Sequence, residues 1–149
     1  MGAKGTNMAN HKMMITLEAL NATRPNTILE LLGVEFTVFN EEELVLTMPI
    51  TNAARQPFGM LHGGVSLVLA ESAASSHASW GLDVSEVFPV GIEINGSHLN
   101  AATEGTVQVV ARPLRRSRTL AVHQVEVTHV ESGRLLCSAR VTNYYKQVR

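Results

Sequence analysis

The 149-residue chain has a single cysteine, Cys137, so no internal disulfide framework can hold it together, and a reducing compartment suits it. Aromatic residues are scarce, 5% with one tryptophan, so a core must be assembled mainly from aliphatic side chains. An excess of charge of one sign is also missing: 12 Lys and Arg stand against 13 Asp and Glu, a net charge of −1, without the basicity of a nucleic-acid-binding domain. No apolar run is long enough to span a bilayer, and Met1–Ile15 lacks the apolar centre of a signal peptide. Met1-Gly2-Ala3-Lys4-Gly5-Thr6 matches the loose myristoylation pattern, but nothing else favours membrane attachment, and a floppy terminus is the simpler reading. A cytoplasmic protein with neither nucleic-acid nor membrane partner is expected.

What is present is 45% hydrophobic and patterned. Residues 1–14 form the expected disordered terminus, and residues 15–149 a single domain without repeats or low-complexity tracts. Thr16 to Asn21 favours a short helix, and Thr27-Ile28-Leu29-Glu30 offers a capping box ahead of a stop at Gly33. Val34–Phe39 and Glu43–Met48 alternate as two strands joined at Asn40-Glu41. After Gly81, the segments Val87–Asn95, Thr106–Pro113, Leu120–Val130 and Leu135–Tyr145 carry Val, Ile and Thr at period two. Between the two sets, an apolar helical segment runs from His62-Gly63-Gly64 to about Trp80. One sheet wrapping one long helix, an α+β arrangement, is the economical packing. The helix is apolar nearly all round while one sheet covers one side, so self-association is expected.

Inside that apolar helix stands one carboxylate, Glu71, with Ser75 a turn later on the same face. A buried acid is costly unless it is paired or used in chemistry. Ser-His-acid hydrolysis fits poorly, because Gly64-Val65-Ser66-Leu67-Val68 lacks the second glycine of a nucleophile elbow. Cys137 lies mid-strand, where a thiol usually packs. His62, Glu71 and His77 do not share a face at ligand spacing, so no metal site is expected. His77, His123 and His129 carry no motif and read as surface or strand histidines.

What remains is acyl chemistry. The Gly63 and Gly64 N–H groups fall in the first helical turn, unpaired and at the positive dipole end, which is the physical content of an oxyanion hole. Glu71 supplies a general base or nucleophile, Ser75 a hydroxyl to hold a water, and Gln56 an amide to orient the acyl oxygen. Eight residues of helix separate Gly63 from Glu71, about 12 Å at ~1.5 Å per residue. A side chain leaning toward the N-terminus recovers roughly 4–5 Å of that. The two groups cannot serve one carbonyl carbon unless the Glu71 of one subunit faces the Gly63 of another.

Gln56-Pro57-Phe58-Gly59-Met60-Leu61-His62-Gly63-Gly64, followed by Ala70-Glu71-Ser72, resembles the signature of hotdog-fold acyl-CoA thioesterases of the phenylacetate and 4-hydroxybenzoyl-CoA type. Ile15 to Ala22 and Cys137 to Thr142 resemble a narrower branch, whose members hydrolyse 1,4-dihydroxy-2-naphthoyl-CoA in menaquinone synthesis or clear misloaded aryl carrier proteins in enterobactin synthesis. The resemblance implies a hotdog fold, an acyl-CoA substrate, an alternative acyl or aryl carrier protein partner, dimers paired into tetramers, and no metal or redox cofactor. It implies Glu71 as the catalytic carboxylate, with the Gly63 N–H and Gln56 polarising the carbonyl, and leaves open whether Glu71 attacks directly or deprotonates water. It places His62 and Gly64 beside the thioester, Ser75 near the attacking water and His98 near the substrate. Val90-Gly91-Ile92 is expected in the pocket wall. The turn holding Arg115, Arg116, Ser117, Arg118 and Thr119 is expected to cradle the phosphates of coenzyme A, since arginine suits bidentate phosphate contact.

Overall fold

A computed structural model describes residues 11–149. The expectations for the first ten residues, disorder and the acylation pattern, lie outside the described residues. Ahead of the domain start expected at Ile15, the Met13 N–H donates to Asp83 Oδ1 at 3.1 Å, and Met14 forms a β-bridge with Asp83.

Two short helices come first, α1 (Leu17–Ala22) and α2 (Ile28–Leu31). Thr16 Oγ1 caps α1 by accepting the Ala19 N–H at 3.1 Å. The capping box of α2 closes differently from its sequence pattern. Thr27 Oγ1 accepts from Leu29, and Glu30 Oε2 reaches the N–H of Asn26, which stands at φ 62. Strands β1 (Glu35–Phe39) and β2 (Leu44–Pro49) form the expected hairpin, in which Asn40 Oδ1 accepts the N–H groups of Glu42 and Glu43. The long helix α3 (Gly63–Ala78) follows, then β3 (Val87–His98), β4 (Thr106–Arg116), β5 (Leu120–His129) and β6 (Leu135–Gln147). The six strands pair antiparallel in the order β1-β2-β4-β5-β6-β3, so β3 lies at an edge.

Helix α3 packs across the sheet through Ser66, Leu69, Ala70, Ala73, Ala74, His77 and Ala78, all buried at helical spacing. Four alanines let the helix lie close to Val107, Val109, Val125, Val127 and Val141, all fully buried. Burying Leu69 completely contributes roughly 1.5–3 kcal/mol. Glu71 belongs to a different face. Contrary to the sequence reading of a buried acid, it is exposed in the single chain, because the inward stripe runs through its neighbour Ala70.

A second stripe of α3, spaced by four residues, lies along β3 in the opposite direction. A Cβ built on Gly63 would stand 2.8 Å from His98 Nε2, and one on Gly96 would stand 2.9 Å from Leu67 Cδ2. One on Gly91 would collide with Glu71 Oε1. The register of β3 against β6 shifts between Gly91 and Glu93. This bulge at Ile92 resets the alternation, so Gly91 and the later Ile94, Gly96 and His98 all face the helix.

Candidate active site

The entry to α3 is built by His62. Its backbone is extended, and its Nδ1 accepts the Gly64 N–H at 2.8 Å. That corrects the expectation of two open donors: Gly64 is spent on the cap. The Gly63 N–H keeps no acceptor among the described residues, at the positive end of a 16-residue helix. His62 is therefore the cap of the candidate oxyanion donor, with its ring exposed.

Gly63 opens into a cavity of about 410 Å³ whose walls include Gln56, Leu61, Ser66, His98 and Leu136. Gln56 is held at both ends of its loop: its N–H donates to Met60 O at 2.8 Å, and its Oε1 accepts the Phe58 N–H. Its Nε2 carries no bond among the described residues and is the end available to an acyl oxygen. Phe58 itself stands 88% exposed beside this loop. The His98 ring packs on Gly63, where any larger residue would displace it. Glu71 and Ser75 are not walls of this cavity. The carboxylate of Glu71 lies against Gly91, and Ser75 Oγ donates to Asn143 Oδ1 at 2.8 Å. The structure thus brings Gln56, Gly63 and His98 together, and Glu71, Ser75 and Gly91 together, as two separate groups.

The arginine turn falls at the other end of α3. Arg116 is engaged within the fold: its guanidinium donates to Ala78 O at 3.0 Å and Trp80 O at 2.7 Å, and the Tyr145 hydroxyl donates to Ala78 O at 2.9 Å. These bonds satisfy carbonyls orphaned at the helix C-terminus. Ser117 Oγ accepts the N–H groups of Thr119 and Leu120 and shapes the turn. Arg115, Arg118 and Thr119 are exposed and remain open to an anion.

Two residues read as surface or strand histidines prove to be fully buried, at 0% exposure. His77 Nε2 lies 2.9 Å from Asn40 O and must donate to it, so His77 Nδ1 accepts from His123 Nε2 at 2.8 Å. Burial favours the neutral form of both rings, and His123 Nδ1 is left without a partner among the described residues. Burial, followed by the nearby His77 and Arg116, pushes the His123 pKa down to about 3, and burial also lowers that of His77. Asn143, also fully buried, is a polar residue passed over by the sequence reading. The one local signal for it is an asparagine inside a β-patterned run.

The sequence model of the Thioesterase superfamily matches residues 58–137. The chain is 43% identical over 131 residues to a 1,4-dihydroxy-2-naphthoyl-CoA hydrolase of Escherichia coli, covering 88% of this chain and 95% of the relative. It is 40% identical to the proofreading thioesterase EntH of Cronobacter turicensis, covering 88% and 94% of the two chains. Among solved structures, a mutant of thioesterase PA1618 from Pseudomonas aeruginosa superposes with a TM-score of 0.86 at 37% identity, covering 92% of this chain and 98% of that one. Thioesterase HI1161 from Haemophilus influenzae superposes with a TM-score of 0.84 at 36% identity, covering 91% and 94%. By sequence, by its antiparallel sheet around one long helix and by these relatives, the chain belongs to the thioesterase superfamily and carries its hotdog fold.

Proposed function

We propose that this thioester hydrolase acts on aryl or hydroxyaryl acyl-CoA at a site completed by a second copy of the chain. The Gly63 N–H and the Gln56 amide of one copy polarise the thioester carbonyl, and Glu71 of the other, with Ser75, supplies the base or nucleophile and holds the water. One observation carries the reading: the free Gly63 N–H opens into a cavity from which the exposed Glu71 carboxylate is absent. A neighbour seated against β3 would bring its own Gly63 to this Glu71. Supporting that arrangement, β3 is a twelve-residue edge strand with Ile92 58% exposed, and a long edge of this kind calls for cover. The exposed Arg115 and Arg118 suit the phosphates of coenzyme A. The acyl class is supported by the activity for which the Escherichia coli relative is named.

Replacing Glu71 by alanine is expected to lower turnover by roughly 10²-fold or more, the scale of a lost acid/base group. Near-normal hydrolysis by that variant would sink the mechanism. A screen of naphthoyl-, benzoyl-, phenylacetyl- and straight-chain acyl-CoA esters identifies the acyl group. The Cronobacter relative's name favours a second reading, proofreading of an aryl carrier protein docked near the arginine turn. Rates on the same aryl group attached to coenzyme A and to a carrier protein separate the two.

A further inference from the structure

Asn143 stands mid-strand in β6, fully buried, where a β-branched residue would suit both the strand and the core better. The residues that share its inward face, Val141 and Tyr145, are apolar or largely so. One end of its amide accepts the Ser75 hydroxyl proton, while Nδ2 has no partner among the described residues. A half-satisfied buried amide costs stability. Breaking strand propensity and polar satisfaction at a single position is the mark of a functional constraint.

Its surroundings indicate which one. Asn143 is the cross-strand partner of Gly91, the glycine on which the Glu71 carboxylate lies. Ser75 follows Glu71 by one helical turn. Cross-strand side chains stand about 5 Å apart and helical turns about 5.4 Å, so carboxylate, hydroxyl and amide occupy three corners of one small square, with Gly91 as the fourth. A serine hydroxyl donates or accepts as its neighbours dictate. Without Asn143 its proton would turn back along the helix to the Glu71 main-chain carbonyl, as the Ser72 hydroxyl does to Val68 O at 2.7 Å. With the proton on Asn143 Oδ1, the lone pairs of Ser75 Oγ face outward.

We propose that Asn143 is a positioning residue that acts through Ser75, turning its hydroxyl into an acceptor for the hydrolytic water. This rests on the reading of Glu71 above, in its base role. The water donates one proton to Glu71 and the other to Ser75 Oγ, leaving an oxygen lone pair aimed at the thioester carbon. As the C–O bond forms, one proton passes to Glu71 and the carbonyl π pair becomes the oxyanion. Collapse breaks the C–S bond, and the leaving thiolate takes the proton back from Glu71.

The test is steady-state hydrolysis of benzoyl-CoA by Asn143→Leu and Asn143→Ala, each alone and combined with Ser75→Ala, with Glu71→Gln alongside. The second Asn143 variant carries the test if the first misfolds. The expected result is a kcat loss of about tenfold, the scale of one misplaced hydrogen bond, with KM held within about twofold. Once Ser75 is alanine, the Asn143 substitutions are expected to cost nothing further. An unchanged kcat, a change confined to KM, or the same loss in the Ser75→Ala background overturns the proposal. Full activity in both Glu71→Gln and Ser75→Ala overturns the underlying reading as well. Impaired Glu71 and Ser75 variants beside unimpaired Asn143 variants overturn the positioning role alone.

Discussion

At the scale of single residues, the site depends on what glycines leave out. The N–H of Gly63 matters to the proposed chemistry, but its missing Cβ matters as much, since that space is filled by the His98 ring. Gly91 does the same for Glu71, because the carboxylate occupies the place a side chain would take. Gly91→Ala is therefore expected to fold normally, alanine suiting a strand at least as well as glycine, while forcing the carboxylate aside. A displacement of about 1 Å in a reacting group can cost up to about 10²-fold, so a kcat loss between tenfold and a hundredfold is anticipated. Wild-type turnover in a Gly91→Ala protein of unchanged thermal stability would show that Glu71 works from elsewhere. His62 shows the converse economy, since one ring nitrogen uses up the Gly64 donor and leaves the Gly63 donor open.

Among the elements, the two ends of α3 are finished by different chemistry: a histidine cap at the entry, and at the exit Arg116, Tyr145 and the buried His77–His123 pair. The histidine pair has a consequence for stability. Both pKa values are lowered in the fold, so the unfolded chain binds protons that the native chain refuses, and stability must fall as pH drops below 6.5. For His123 the loss continues down to about 3, and each titrating histidine weakens folding by about tenfold in the unfolding constant per pH unit. Urea midpoints measured from pH 7.5 to 4.5 are expected to decline more steeply in the wild type than in His123→Leu, and equal slopes would remove the pair from the explanation. The strands and the central helix were legible because period-two Val, Ile and Thr contrast with a continuous apolar run. Their ends were less so. Gly96 follows the strand end expected at Asn95, yet β3 continues through it to His98 because these residues stay paired with Ala139, Ser138 and Cys137 of β6, while Leu67 fills the space above the glycine. Pro113 reads as a stop, yet β4 absorbs it in a bulge and reaches Arg116. The Glu71–Ser75 spacing was visible in the sequence. Asn143 carries only the weak local mark of an asparagine in a β-patterned run, and its partner lies 68 positions away. The histidines were misread for the same reason: their burial is a mutual arrangement of residues 46 apart.

For the whole molecule, the separation of the Gly63 cavity from Glu71 makes assembly part of the proposed chemistry. Gly63→Pro deletes the donor at the first helical position, where the backbone admits proline because the preceding His62 is already extended, and it also pushes the His98 ring aside. Mixed in equal amounts with Glu71→Ala under conditions of subunit exchange, it is expected to recover about a quarter of wild-type activity, since half the pairs are hybrids and each holds one intact site. No recovery after demonstrated exchange would confine the site to one chain. Demonstrating exchange is simpler because of where the protein keeps its sulfur. Cys137 is fully buried beneath Gly96, and burial pushes its thiol pKa up. A maleimide dye will pass it over, so one added thiol on an exposed turn, as in Glu42→Cys, labels each chain once with the native cysteine left in place. Donor-labelled and acceptor-labelled populations then report their own mixing as energy transfer, in the same tube where the recovered hydrolysis is read.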